Sequence, residues 1–302
     1  MNVLVRHPEL SPEYALRVLH DVPLSKHTSW HVGGPADIYF TPRDLSDLAA
    51  FVRQLPPEMP LLMIGLGSNL LVRDGGVRGA VISTHGALGG LERISATRIH
   101  AGAGVPCARI ARQCVKWGLG PADFFAGIPG TLGGALAMNA GAWGGETWRH
   151  VIEVETIDRR GARHTRPRTE YEIGYRTVRG PEPEWFVGAQ LEFERKPGHT
   201  DAAMRELLER RKQTQPIGDW SCGSVFTNPP GQHAAQLIEA AGLKGFRIGD
   251  ASVSEKHANF IINHGSARAA DIEAVIEHVK RTVAQAHHVE LNTEVRIVGD
   301  PA

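Results

Sequence analysis

The fold of this protein is decided by a stretch of sequence that carries very few side chains. Residues 127–145 read GIPGTLGGALAMNAGAWGG and contain seven glycines among 19 residues. A backbone of this kind can approach a ligand or another chain segment closely, because few Cβ atoms stand in the way. The stretch fits neither the GK[ST] ending of a P-loop nor the GxGxxG pattern of a Rossmann turn.

A second glycine-rich turn, GLGSN at residues 65–69, follows the apolar run LLMI at residues 61–64. Backbone N–H groups in such turns can surround an anion, and a pyrophosphate is a natural ligand for them. Glycines can equally serve close packing of helices against strands. Two such turns in one chain, both after predicted strands, favour a dinucleotide ligand.

The sequence around these turns mixes helical and strand periodicity. Helical spacing of apolar residues predicts helices over residues 43–55, 107–117, 201–213, 233–241 and 269–287. Alternation and short apolar runs predict strands over residues 36–40, 61–64, 80–82, 98–101, 151–157, 185–193, 258–263 and 289–298. The mixture indicates an α+β protein of at least two domains, with a composition shift near residues 196–198. We predict an N-terminal extension over residues 1–21 and domains over residues 22–197 and 198–302.

Composition restricts the class of function. The 302 residues carry 33 basic and 33 acidic side chains, so the basic excess expected of a nucleic-acid-binding protein is missing. The sequence has no apolar run of about 18 residues and no signal peptide, which predicts a cytoplasmic protein without membrane insertion. Cys107, Cys114 and Cys222 lack zinc-site spacing and no HExxH motif occurs, so we expect reduced thiols and no metal site.

Four polar residues are candidates for chemistry. Ser224, in the turn CGSVFTNP at residues 222–229, can protonate a carbanion or enol, although an ordinary turn serine has the same neighbours. Glu294 lies on the polar face of the predicted last strand, which faces either solvent or a cleft. Arg176 suits carboxylate or enolate stabilisation, or a surface ion pair with Glu172. His257 either lines a cleft or has a capping or core role.

In their order along the chain, these segments resemble the UDP-N-acetylenolpyruvoylglucosamine reductases, in their short-loop (type II) subgroup. Each motif alone is weak, but the ordered set is specific and spans residues from about 22 to 299. The matching motifs are HTSWHVGGPAD (27–37), GLGSNLLVRDGG (65–76), GIPGTLGG (127–134), MNAGA (138–142), YR (175–176), GSVF (223–226), NP (228–229), SEKHANF (254–260) and EVR (294–296).

The resemblance implies a two-part FAD-binding region of the vanillyl-alcohol-oxidase (PCMH) type and a C-terminal α+β substrate-binding domain. It implies a monomer that uses non-covalent FAD and NADPH to reduce UDP-N-acetyl-3-O-(1-carboxyvinyl)-glucosamine to UDP-N-acetylmuramate in peptidoglycan synthesis. The FAD-binding residues it implies are Gly65, Gly67, Ser68, Asn69, Leu70, Gly127, Ile128, Pro129, Gly130, Thr131, Gly133, Gly134, Asn139 and Gly141.

Residue roles follow from the same resemblance. Ser224 becomes the proton donor, and Arg176 and Glu294 stabilise negative charge on the substrate. The implied substrate-binding residues are Tyr175, Lys212, Asn228 and His257.

The chain departs from the usual family pattern at a few positions. Thr177-Val178 stand where a serine usually follows the Tyr-Arg pair, Thr227 stands where many members carry lysine, and Asp123 replaces a glutamate. Two other functions fit part of the sequence: an oxidase of the same FAD fold and a non-catalytic nucleotide-binding protein. Neither explains the joint presence of Ser224, Arg176 and Glu294.

Overall fold

Two structural units alternate along the chain in the computed structural model, which describes residues 8–181 and 183–302. The first unit comprises the described residues of Met1–His20 together with Asp37–Leu66 and Gly79–Leu208. The second comprises Asp21–Ala36, Gly67–Arg78 and Glu209–Ala302. The three-part domain division expected from the sequence stays a prediction, and residues 1–7 of the expected N-terminal extension lie outside the described residues.

Helices and strands both occur throughout the described chain, which confirms the α+β class. The α-helices are α1 (Pro12–Ala15), α2 (Leu45–Val52), α3 (Cys107–Lys116), α4 (Leu132–Ala137), α5 (Ala202–Thr214), α6 (Ala234–Ala240) and α7 (Ala269–His287). The 3₁₀ turns are Leu24–His27, Asp123–Gly127, Thr147–Arg149 and Arg168–Glu170. None of the helices in residues 8–181 and 183–302 combines the length and apolar character needed to cross a membrane.

The strands are short and numerous. They are β1 (Leu19–Pro23), β2 (Pro35–Phe40), β3 (Leu61–Ile64), β4 (Leu70–Val72), β5 (Val77–Ser83), β6 (Leu91–Arg93), β7 (Arg98–Gly102), β8 (Leu119–Gly120), β9 (Gly141–Ala142), β10 (Gly145–Glu146), β11 (Val151–Asp158), β12 (Arg163–Pro167), β13 (Glu172–Gly174), β14 (Thr177–Arg179), β15 (Glu184–Glu192), β16 (Glu194–Arg195), β17 (Arg247–Ile248), β18 (Ala251–Val253), β19 (Ile261–Asn263) and β20 (Arg296–Val298).

The first unit is built on a five-stranded sheet of order β12-β11-β15-β7-β6. Its neighbouring strands pair antiparallel, so residues far apart in sequence become direct neighbours, as Ala189 and Ala101 do. A four-stranded sheet of order β1-β2-β5-β3 lies largely in this unit, where β3 pairs parallel with β5. Between α3, α4 and the five-stranded sheet lies a core that includes Ile110, Leu132 and Trp148, all fully buried.

The described part of the N-terminal extension is packed into the first unit. Tyr14 on α1 is buried against the rings of Phe40 and Phe51, with centroid distances of 5.8 and 5.6 Å. The guanidinium of Arg17 donates to both carboxylate oxygens of Asp47, at 2.8 and 2.6 Å. The carboxylate of Asp44, the N-cap residue of α2, accepts from the N–H of Asp47. The helix therefore begins at Leu45, two residues later than predicted.

The second unit packs α7 against the antiparallel sheet β17-β18-β19. The apolar stripe predicted for this helix is confirmed, because Ile272, Val275, Ile276, Val279 and Val283 are all buried. The segment 67–78 also contributes, since the carboxylate of Asp74 accepts from the N–H groups of Ala269 and Ala270, both at 2.9 Å. Asp74 therefore satisfies two of the free donors at the start of α7.

Two predicted strands of the second unit are wrong in part. The strand expected over residues 289–298 is limited to β20, and residues 289–295 form irregular structure with an isolated bridge from Thr293 to Phe226. The burial alternation nevertheless holds, with Leu291 and Val295 buried. The strand expected over residues 258–263 begins only at Ile261, because Phe260 closes a turn onto the His257 carbonyl.

Candidate active site

The glycine-rich segment of residues 127–134 is held firmly on one side. The N–H groups of Leu132 and Gly133 donate to the carbonyls of Val105 and Ala103, at 2.9 and 2.8 Å. A Cβ atom on Gly65 would overlap the side chain of Thr131. Glycine is therefore required at position 65 for packing, which is one of the two roles expected for these glycines.

The same segment is open on another side. A Cβ atom at Gly134 would meet no atom of the described residues within 4 Å. The hydroxyl of Thr131 is buried and has no hydrogen-bond partner among the described residues, although buried hydroxyls are nearly always paired. Open backbone beside an unsatisfied hydroxyl fits a phosphate-bearing cofactor. Ile128 is buried in this segment, whereas Pro129 is exposed.

Arg176 lies in the two-residue loop between β13 and β14, whose closing pair is Gly174 and Thr177. Its backbone has a φ of 53°, a left-handed conformation that is uncommon for arginine. Its guanidinium donates to the carbonyls of Asn139 and Gly141, at 3.3 and 3.1 Å. Tyr175, beside it in the loop, is half exposed.

The expected alternative partner of Arg176, Glu172, forms an ion pair with Arg179 at 3.6 Å. The anchoring of Arg176 on Asn139 and Gly141 joins the loop of residues 174–177 to the segment of residues 138–142. The first unit thus brings together two motifs that lie more than 30 residues apart in the chain.

In the second unit, the remainder of the GLGSN turn meets Glu294. The amide of Asn69 donates to the carbonyl of Glu294 at 3.0 Å, and the N–H of Arg296 donates to the carbonyl of Asn69 at 3.0 Å. Strand β4 then continues parallel to β20, with Leu70 opposite Arg296. A Cβ atom on Gly67 would overlap the carbonyl oxygen of His27, so this glycine is needed for packing.

Ser224 is a near neighbour of Glu294. The N–H of Glu294 donates to the carbonyl of Val225, the residue after Ser224, at 2.7 Å. Ser224 is half-buried, follows Gly223 with its φ of 74°, and its hydroxyl forms no hydrogen bond with the described residues. The second unit therefore makes the chain segments that carry Ser224 and Glu294 direct neighbours.

Asn259 is a residue whose role the sequence did not reveal. Its side-chain amide bonds both the N–H and the carbonyl of Phe226, at 2.9 and 2.8 Å, and its own carbonyl accepts from the Val225 N–H. Asn259 is buried and fixes the chain directly after Ser224. The only sequence signal for it was its place in the motif SEKHANF.

The residues predicted to bind substrate have contacts within the protein. The carbonyl of Lys212, whose side chain is exposed, accepts from the ammonium group of Lys256 at 2.6 Å. Asn228 accepts from the N–H of Ala234 at the start of α6. Burial lowers the pKa of the His257 imidazole. The main-chain N–H of His257 donates to the Ser254 hydroxyl. Substrate binding by these residues and by Tyr175 stays a prediction.

The three cysteines are free and buried. Burial raises the pKa of Cys222 and of Cys114 to about 12 each and raises that of Cys107 as well. The thiolate, which is the reactive form, is therefore scarce at neutral pH.

Comparisons with known proteins show the family to which the chain belongs. The family described as "FAD binding domain" matches residues 36–165, and "UDP-N-acetylenolpyruvoylglucosamine reductase, C-terminal domain" matches residues 215–298. These two matches confirm the predicted combination of an FAD-binding region with a C-terminal domain of this reductase family.

Whole-chain relatives carry the same name. The chain is 57% identical over 284 residues to a UDP-N-acetylenolpyruvoylglucosamine reductase of Alkalilimnicola ehrlichii, covering 93% of this chain and 94% of that protein. It is 54% identical over 285 residues to that of Methylococcus capsulatus, covering 93% of each. The crystal structure of the reductase from Thermus caldophilus has 34% identity and a TM-score of 0.78, covering 93% of this chain and 98% of the other. On this evidence the chain belongs to the UDP-N-acetylenolpyruvoylglucosamine reductase family.

Proposed function

We propose that this protein reduces UDP-N-acetyl-3-O-(1-carboxyvinyl)-glucosamine to UDP-N-acetylmuramate in peptidoglycan synthesis, with NADPH as hydride donor and FAD as bound cofactor. The observation that carries the proposal is the main-chain hydrogen bond from the Glu294 N–H to the carbonyl of Val225, the residue directly after Ser224. The main-chain segments that carry the hydroxyl and the carboxylate are thereby neighbours, and we propose that the two groups act together as proton donor and charge-stabilising group.

The cofactor fits the glycine-rich segments. In the first unit, the buried hydroxyl of Thr131 and the open backbone at Gly134 would contact it. The family resemblance adds the main chain of Gly65, Gly127, Gly130 and Gly133 as proposed contacts. Residues 67–70 are proposed as further contacts on the family resemblance alone. When bound, FAD would supply the hydride-transfer chemistry between NADPH and the vinyl ether of the substrate.

The protein's own residues then handle charge and a proton. Hydride addition leaves negative charge on the α-carbon, which spreads into the neighbouring carboxylate as an enolate. Arg176 stabilises that charge with a guanidinium whose orientation is fixed by two backbone carbonyls. Glu294 assists, and Ser224 gives its proton to the α-carbon, so that a hydride and a proton together complete a two-electron, two-proton reduction of the double bond.

The remaining candidate residues are proposed to bind the sugar nucleotide. Lys212 and Asn228 are proposed to hold the phosphate or uridine part of the sugar nucleotide, with Tyr175 and His257 as further contacts. A monomeric state and a cytoplasmic location stay predictions from the sequence.

Anaerobic stopped-flow absorbance at the flavin band tests the proposal. NADPH should bleach the flavin of the purified protein, and UDP-N-acetylenolpyruvoylglucosamine added afterwards should restore the band quickly. Simple alcohols and sugars serve as controls and should not restore it. Bleaching without restoration would leave a flavoprotein but rule out this substrate.

A further inference from the structure

Asn139 is a buried residue with an unusual backbone. Only 2% of it is exposed, and its φ of 47° lies in the left-handed region. Its side-chain oxygen accepts from the N–H of Trp148 at 3.1 Å, and its side-chain nitrogen donates to the carbonyl of Gly174 at 3.0 Å. Both ends of the amide are therefore engaged with the protein's own backbone.

These contacts reach Arg176 from two directions. Gly174 is the last residue of β13, directly before the loop that carries Arg176. The main-chain carbonyl of Asn139 also accepts from the guanidinium of Arg176 at 3.3 Å. Asn139 thus holds the base of the loop with its side chain and the end of the arginine with its main chain.

The loop needs such support because Arg176 itself has a φ of 53°. A non-glycine residue in this conformation is disfavoured and persists only when its surroundings enforce it. The N–H that donates to the Asn139 side chain belongs to Trp148, which is fully buried, so the amide is held by a well-packed part of the first unit.

We propose that Asn139 is a positioning residue for Arg176 and that its side chain is not a ligand of the cofactor. This inference rests on the proposed function, in which Arg176 stabilises charge on the substrate during flavin reoxidation. A shift of Arg176 by about 1 Å is enough to slow such a step ~10²-fold.

The test compares Asn139→Gly and Asn139→Asp with Arg176→Ala and with the double variant Asn139→Gly/Arg176→Ala. Glycine tolerates the left-handed backbone and removes both side-chain contacts. Aspartate keeps the oxygen that accepts from the Trp148 N–H. It replaces the amide nitrogen that donates to the Gly174 carbonyl with a second oxygen, so that this bond is lost and two acceptors face each other. Thr147→Val is the matched control, because it removes the nearby bond from the Thr147 hydroxyl to the Ala140 carbonyl, at 2.7 Å, without touching Arg176.

Four readouts are needed: FAD affinity by flavin fluorescence, flavin reduction by NADPH, flavin reoxidation by UDP-N-acetylenolpyruvoylglucosamine, and hydrogen exchange of the hairpin of residues 172–179. Both Asn139 variants should slow reoxidation by ~10²-fold and speed hairpin exchange, with FAD affinity and flavin reduction unchanged. The double variant should lie within about twofold of Arg176→Ala, since both changes act on one group. Thr147→Val should leave reoxidation and hairpin exchange unchanged.

Additive effects in the double variant, or weaker FAD binding in the Asn139 variants with unchanged hairpin exchange, would overturn the inference. Failure of the proposed function has a different signature. Arg176→Ala would then leave reoxidation at the wild-type rate, or the wild type would not be reoxidised, and Asn139 would have no reaction to serve even if hairpin exchange rose.

Discussion

The turns that carry Arg176 and Ser224 are held in different ways. In the first unit, the charged end of Arg176 is itself bound by the carbonyls of Asn139 and Gly141. In the second unit, the contacts lie on the main chain after Ser224, where Asn259 bonds to Val225 and Phe226. The Ser224 hydroxyl itself has no hydrogen bond among the described residues.

The difference matches what each group is proposed to do. A cation that stabilises developing charge works best when it is fixed before the charge appears. A proton donor must instead keep its O–H group available for the substrate, so only its backbone is fixed. A buried asparagine fixes the main chain next to each turn: Asn139 for the Arg176 turn and Asn259 for the Ser224 turn. An asparagine suits this role because its amide can satisfy one backbone donor and one backbone acceptor together.

The strongest test of this comparison is Ser224→Ala. We expect flavin reoxidation by the enolpyruvyl substrate to slow by at least ~10²-fold, with flavin reduction by NADPH unchanged. The melting temperature should hardly change, because the hydroxyl contributes no bond to the described fold. Ser221→Ala, in the same loop, is the control and should behave as wild type. An unaffected reoxidation rate would remove Ser224 as the proton donor.

A second test separates packing glycines from cofactor-facing glycines in the first unit. Gly134→Ala should stabilise the FAD-free protein by about 0.5–1 kcal/mol, because the position is helical and open, yet weaken FAD binding by at least about tenfold. Gly65→Ala should destabilise the FAD-free protein by about 1–3 kcal/mol through overlap with Thr131. Thermal melts and FAD titrations measure both, and unchanged FAD affinity in Gly134→Ala would argue against a cofactor at that face.

The smallest expected effect is a contrast in pH dependence between the units. In the first unit, the Glu155 carboxylate lies 3.4 Å from the His100 ring and raises the pKa of His100. Protonated His100 therefore stabilises the fold fully below a pH of about 6.5, and this contribution is lost as the pH rises through the higher pKa of the folded state. Burial lowers the pKa of His257 in the second unit, so the stability of the neutral form is lost as pH falls below about 6.5.

Urea unfolding of wild type, His100→Gln and His257→Gln across this pH range measures the contrast. The stability difference between wild type and His100→Gln should shrink as pH rises. The wild type should lose stability relative to His257→Gln as the pH falls, because only the wild type has a buried histidine to protonate. Parallel pH profiles for the two variants would contradict the assignment.

Local periodicity predicted much of the fold because it reports which face of one element is buried. Residues 269–287 form the predicted helix to the residue, and β3 has its predicted bounds. Periodicity failed at residues 289–295, where alternation in burial persists without strand pairing. There the chain is held by scattered hydrogen bonds with Val225, Thr227 and Asn69 in place of a continuous ladder.

Ordered local motifs were sufficient to predict the mixed class, the family and the candidate residues. The hydrogen bonds that hold those residues, in contrast, follow from the fold of the whole chain. The contacts of Glu294 with Asn69, and of Arg176 with Asn139, join positions 225 and 37 residues apart. Such long-range hydrogen bonds depend on the path of the whole chain, and no local pattern of residues encodes them.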